Sequence, residues 1–418
     1  MRASSVQVSH NRPLALSALF AALLLPGSAV YAGGPLIVRS NGAPYVWSTA
    51  TPISYRTDNG ALSASIDEAT ARGRVVAMFN VWQNVATSSI SYARATTSAG
   101  NGVGFIGNTG AFAGGDVDTL AEYQAVEADC GNGNQSPIVY DADAAIITGL
   151  GLDETSVIGF AGPCSLSATQ IIAGRAVMNG LFQDGSAVPV QDLTAAEYDA
   201  AFVHEFGHFS GLDHSQVNVN CLAPCGADDL TGLPTMFPFL VHVSQGVLSI
   251  DDIAWISRLY PQTMGGTTFA GTHGTITGTV FFSDGQSHAQ LVNVIARRVD
   301  AGANEDRSIA VSVISGFKFT IDLGNPILGT TASPFGTLLP GDIGLFEIPV
   351  PAGSYTVEVE SVDSAFADTS RVGPFFIAMP GTAPAPIGPI SVAAGATVSG
   401  NNVTLIGTDP RFDQFEGP

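Results

Sequence analysis

Eleven consecutive residues constrain this chain more than any others: His204-Glu205-Phe206-Gly207-His208-Phe209-Ser210-Gly211-Leu212-Asp213-His214. On an α-helix, side chains four apart project from one face a turn apart, so His204 and His208 offer two imidazole nitrogens to a single metal ion. Gly211 ends that helix, because glycine takes the left-handed backbone without a Cβ penalty, and the chain can turn back to bring in His214 as a third ligand. Three protein ligands leave a fourth position for water, the arrangement of a catalytic rather than a closed structural site. Glu205, one residue past the first ligand, can reach that water without ligating, which is where a general base stands. A bare pair of histidines could be polar surface or a self-satisfied buried pair. Here five positions are fixed, and three of the seven histidines fall within the stretch.

The full pattern His-Glu-x-x-His-x-x-Gly-x-x-His resembles that of the metzincin zinc endopeptidases, and Gly211-Leu212-Asp213-His214-Ser215 resembles their matrixin branch. Thr235-Met236-Phe237-Pro238 is similar to the methionine turn of that group, with Met236 as the base of the site; Phe237 stands where matrixins more usually have tyrosine. Leu248 to Pro261 is similar to the last helix of a matrixin catalytic domain, so the likeness is specific over 194–261. It implies one catalytic zinc ion (Zn2+) on His204, His208 and His214, with Glu205 as general base and a protein or peptide as substrate. The second, structural zinc of matrixins is not expected, since no histidine lies between residues 11 and 203. Nor is latency through a prodomain cysteine, because no such segment lies between Ala32 and the catalytic domain.

Acidic residues number 36 and basic ones 15, a net charge of −21, which argues against nucleic acid and anionic membrane surfaces as partners. Residues 1–32 read as a signal peptide. Arg2, His10 and Arg12 give a basic start, Leu14 to Leu25 an apolar run too short to span a bilayer, and Val30-Tyr31-Ala32 a small-residue cleavage site. The mature protein is therefore expected to be secreted or periplasmic, with no membrane insertion after cleavage near Ala32. Outside the cytosol the four cysteines read as disulfides. Four allow three pairings, of which Cys221 with Cys225 and Cys130 with Cys164 are favoured.

After a short N-terminal segment, 33–43, the protease domain is expected over 44–261 as an α+β fold, a twisted mixed sheet with three main helices. Pro52 to Arg56 alternates as a half-buried strand. Ser65 with Glu68 predicts a capping box for a helix running to about residue 87. Thr97 to Asn134, rich in Gly, Ala, Thr and Asn, reads as loop with short strands. Asp116, Asp118, Asp141 and Asp143 are oxygen donors that could hold calcium (Ca2+), solvated turn carboxylates being the alternative. Residues 157–162 and 173–179 read as buried strands, and in the metzincin likeness the first is the edge that pairs with an extended substrate. Thr194 with Glu197, and Ser249 with Asp252, predict capped helices, the second stopped by Pro261.

A Gly/Thr-rich linker, 262–272, precedes alternating short strands that predict an antiparallel sandwich over 273–407, with a long loop at 324–342 and a tail, 408–418. Gly274-Thr275-Ile276-Thr277-Gly278-Thr279-Val280 together with Pro351-Ala352-Gly353-Ser354-Tyr355 resembles carboxypeptidase-regulatory-like modules of transthyretin type, which implies support or adhesion rather than chemistry. A second reading follows from that module: an exported adhesion or carbohydrate-binding protein whose zinc is only structural. Glu205 counts against it, as a structural site does not need a base.

Overall fold

The computed structural model describes residues 4–8, 33–39, 41–289, 292–299, 305–316, 321–322, 325–326, 340–361 and 382–407. The apolar run and cleavage site of the expected signal peptide, most of the expected 324–342 loop and the 408–418 tail lie outside the described residues.

The first region builds one mixed sheet from β1 (Ser4–Val8), β2 (Val46–Trp47), β3 (Ile53–Thr57), β4 (Tyr92–Arg94), β5 (Pro137–Asp141), β6 (Val157–Leu166), β7 (Gln170–Asn179) and β8 (Phe239–Leu240). The order is β4-β3-β5-β7-β6-β1-β8, with β2 added to β7. β3, β4, β5 and β7 run parallel, while β6 turns back antiparallel on β7. β1 lies antiparallel along the outer side of β6, with Val6 opposite Gly159. Both faces of the sheet are covered, so its strands bury both sets of alternating side chains. Ile138, Tyr140, Ala176 and Met178 face one core together with Phe79 of α1 (Glu68–Gln83) and Phe206 of α4 (Ala195–Phe209). Val139, Phe160 and Val177 face the other, with Tyr123 and Val126 of α2 (Leu120–Gly131) and Ile146 and Ile147 of α3 (Ala145–Gly149).

Three local expectations are corrected here. The N-cap of α1 is Asp67, whose Oδ1 accepts from Thr70 N at 2.9 Å, and Ser65 instead donates its hydroxyl to the Gln183 carbonyl. Ser63 and Ile66 bridge in a tight turn just before, so the helix cannot start earlier, and it ends at Gln83 rather than near 87. The 97–134 stretch is not all loop: α2 occupies its end, started by a capping box between Thr119 and Glu122. Its apolar positions Tyr123, Val126 and Cys130 follow helical spacing and are buried. A disulfide joins Cys130 to Cys164 of β6, and another joins Cys221 to Cys225.

α5 (Ala227–Thr231), α6 (Ile250–Leu259) and the short α7 (Phe269–Thr272), which lies within the expected linker, lead to the second region. Its strands are β9 (His273–Phe281), β10 (Val292–Val299), β11 (Glu305–Ile314), β12 (Ile321–Asp322), β13 (Asn325–Pro326), β14 (Leu345–Pro351), β15 (Gly353–Ser361), β16 (Ile387–Val392), β17 (Thr397–Val398) and β18 (Val403–Thr404). They form an antiparallel sheet β11-β10-β15-β16, a sheet β14-β9-β17 with β18 also on β9, and the pair β12-β13. Ile276, Phe346 and Ile348 of one sheet meet Val294, Ala296, Val311 and Val357 of the other. These side chains are continuous with the core of the first region.

Asp251 on α6 is buried where the regions meet, its Oδ1 accepting from Ser312 N at 2.7 Å. Burial, and then the neighbouring Asp252, push its carboxyl up to about 8. An unfolded aspartate titrates near 4. Between those values the folded chain holds a proton that the unfolded chain lacks, so this group stabilises fully below about pH 4 and its contribution is lost as pH rises through 8. Asp251→Asn should therefore gain in melting temperature relative to wild type as pH is raised from 5 to 8; parallel melting profiles would contradict this.

Candidate metal centre

α4 starts at a capping box in which Thr194 N donates to Glu197 Oε2 at 2.8 Å and Glu197 N donates to Thr194 Oγ1 at 3.3 Å. It ends after Phe209 in a left-handed glycine turn. Gly211 has φ +89°, Gly211 N donates to the His208 carbonyl and Leu212 N to the Gly207 carbonyl, each at 2.9 Å. That pair of bonds is the Schellman closure of a helix. It reverses the chain, and residues 33–36 then run beside 211–214, with Leu36 N donating to the Gly211 carbonyl at 2.7 Å.

The turn brings His214 back to the helix. Among the described residues, His204, His208 and His214 are the one group of three or more His, Cys, Asp or Glu side chains placed to share an ion, all three buried. His208 Nε2 and His214 Nε2 lie 3.1 Å apart. Two ligands of a tetrahedral zinc at about 2.0–2.1 Å are roughly 3.3 Å apart, so the spacing fits. His204 Nδ1 bonds the Thr235 carbonyl at 2.7 Å and His208 Nδ1 the Leu212 carbonyl at 2.8 Å. Each carbonyl keeps the Nδ1 proton, which leaves Nε2 as the lone-pair nitrogen that faces the metal. His204 Nε2, fully enclosed, has no hydrogen-bond partner in the protein, as a metal ligand would not. Burial lowers all three imidazoles, His204 to about 4, and the neighbouring histidines lower His208 and His214 further. They are thus neutral at physiological pH, the form that binds metal.

Glu205 is fully buried in the same turn of helix. A Cβ built on Gly159 of β6 would stand 3.2 Å from Glu205 Cγ, so the strand passes directly beside this carboxylate. Met236 is buried against Gly207 of α4, where an added Cβ would come within 2.2 Å of its Sδ and 2.8 Å of Trp82 Cζ2. Gly207 is a glycine in mid-helix because the thioether occupies the space a side chain needs. Gly207→Ala should destabilise the protein by about 1–3 kcal/mol through overpacking. Helix propensity alone would instead predict a gain of roughly 1 kcal/mol; urea unfolding decides between the two signs.

The role of Asp252 was not legible beyond its cap. Its buried carboxylate accepts from Ser249 N and Thr235 N at 2.8 Å each and from Met236 N at 3.0 Å, so it ties α6 to the turn carrying both the methionine and the carbonyl that orients His204. Ser215 N donates to the Met236 carbonyl at 2.7 Å, linking that turn to the third histidine. The Cys221–Cys225 disulfide closes a short loop between His214 and the turn. Among the described residues the four aspartates named for calcium form no single group placed to share an ion, although Asp116 and Asp118 share a side-chain hydrogen bond. Asp141 caps α3 through Ile146 N and Ile147 N, Asp143 accepts from Ala145 N, and Asp116, raised to about 7 by burial and by Asp118, lies near Asp58.

Helix geometry, neutral buried imidazoles and a carboxylate beside them can polarise and hydrolyse a peptide bond with zinc bound. No curated protein and no solved structure matches the chain. The profile of the matrixin family does, over residues 46–261. That span covers just over half of the sequence and runs from β2 through α6, with all three histidines and the methionine turn inside it, and the chain accordingly belongs to the matrixins, zinc-dependent metalloendopeptidases.

Proposed function

We propose that this matrixin works outside the cytoplasm, with Glu205 as its general base and Gly211 and Met236 supporting the site. The observation that carries the reading is Glu205 itself, buried between the histidines of α4 and Gly159 of β6. When bound at the three histidines, zinc polarises the scissile carbonyl and makes water acidic enough to ionise near neutral pH. Glu205 takes the proton of the attacking water and later passes it to the leaving amine. The substrate lies extended along β6, adding to the sheet through main-chain hydrogen bonds. Ser4–Val8 occupies that edge in this structure, with Val6 opposite Gly159, which supports β6 as a strand that accepts an extended segment. Removal of residues 1–32 on export would vacate it. The two disulfides favour an oxidising compartment, and no described helix is long and apolar enough to cross a membrane.

The protease domain is taken as 44–261, joined through 262–272 to a transthyretin-type sandwich over 273–407. Support for the latter is the packing of two mainly antiparallel sheets around Ile276, Phe346, Val294 and Val357. Incubating the mature protein, residues 33–418, with a broad peptide mixture tests the reading. Internal cuts that stop when zinc is chelated are expected. Cleavage only from peptide ends, or cleavage indifferent to chelation, would contradict it.

A further inference from the structure

The four residues after His214 each contact the second region. Ser215 Oγ lies 3.3 Å from Ser312 Oγ of β11. The Gln216 carbonyl accepts from Asn293 Nδ2 of β10 at 3.0 Å. Val217 is fully buried and packs with Ile295 and Ala310 in a small cluster of their own. Asn218 Oδ1 accepts from Arg297 Nη1 at 2.7 Å. The strand period explains this row: Val292, Val294 and Ala296 point into the sandwich, so Asn293, Ile295 and Arg297 share the opposite face. That face is not solvated. All three residues are buried, under the loop that carries the third histidine.

His214 differs from the other two ligands in a way that gives this contact weight. His204 and His208 have Nδ1 held by carbonyls, whereas His214 Nδ1 has no partner in the protein. Its ring is therefore oriented by the backbone that carries it, which is tied to the methionine turn through Ser215 N on one side and held through residues 215–218 by β10 and β11 on the other. Arg297 is itself immobilised by ion pairs with Glu305 and Glu358. Asn218 is held in the left-handed conformation at φ +59°, with Nδ2 donating to the Asp229 carbonyl at 2.9 Å.

We propose that the second region is part of the metal site's support: Asn293 and Arg297 are positioning residues that hold the 215–218 loop, and with it His214, in register with the zinc helix. The inference rests on the three histidines binding zinc and goes beyond it, because it gives the β region a role in the site rather than a separate one. Coupling of this kind is reciprocal, so zinc must in turn steady β10 and β11.

The test uses the full chain loaded with zinc. Arg297→Lys keeps a positive charge beside Glu358 but loses the fork that reaches Asn218. Asn218→Gly keeps the left-handed backbone and removes the acceptor. The readouts are the rate of zinc release to excess chelator and the visible spectrum of the cobalt-substituted protein. Each variant should release zinc about tenfold faster with an altered cobalt spectrum, and the double variant should be no faster than the faster single one, since the Arg297–Asn218 bond is lost in both. In the wild type, removing zinc should speed amide hydrogen exchange at 293–297 together with 214–218, a readout that stands even if a variant does not fold. Unchanged release and spectra in both variants, rates that multiply in the double variant, or exchange in β10 indifferent to zinc would each overturn the proposal. A wild-type chain that retains no zinc at all would overturn the metalloprotease reading along with it.

Discussion

Glu205→Ala should retain one zinc per chain and lose turnover by about 10²–10⁴-fold, the contribution of a well-placed general base. The prediction follows from where the residue sits: on the metal-binding helix, fully buried and beside β6, yet outside the three-histidine group that shares the ion. The variant should lower kcat with KM little changed, because the proton transfer belongs to the transition state and the histidines and β6 are left in place. Glu205→Gln, which keeps the shape without the base, should be equally slow. Near-normal kcat in either variant would remove Glu205 from the mechanism, and loss of zinc in both would make it a structural residue instead.

His214→Ala should have the second largest effect. Two ligands spaced a helical turn apart would remain, and the ion would lose the one that closes the site from the loop. Zinc should be stripped by a chelator that leaves the wild type loaded, and activity should fall in step with metal content. Unchanged zinc after exhaustive dialysis would exclude His214 as a ligand. The Ala variant also removes a buried imidazole, so a change in melting temperature without a change in zinc content would count as the same exclusion.

The metal site was legible because its information is local. Residues 204 to 214 specify a helix, a glycine stop and a return within one short stretch: the left-handed turn at Gly211, φ +89°, starts the return that leaves His214 Nε2 3.1 Å from His208 Nε2. The capping boxes at Thr194–Glu197 and Ser249–Asp252 were legible for the same reason. The equivalent box at Thr119–Glu122 was hidden by the Gly- and Thr-rich run before it, whose composition reads as loop although α2 follows. At α1 the expected cap, Ser65, lies too early: the turn between Ser63 and Ile66 delays the start of the helix, and Asp67 caps it instead. What sequence alone does not disclose is which partner a strand face meets. Alternation in β10 separates Asn293, Ile295 and Arg297 from the sandwich core, but only the folded chain reveals that the third-ligand loop covers them. Likewise the aspartates at 141 and 143 look like oxygen donors awaiting a cation, and backbone amides at the start of α3 take them.

Zinc binding by the three histidines and peptide hydrolysis belong to one and the same site. The most direct test is to titrate the metal-free mature protein with zinc while following cleavage of a peptide found among its substrates. Activity should rise linearly and reach its plateau at one equivalent, with the Glu205→Ala variant binding the same equivalent and staying silent. A plateau of bound zinc with no accompanying activity, or activity already present before zinc is added, would contradict it.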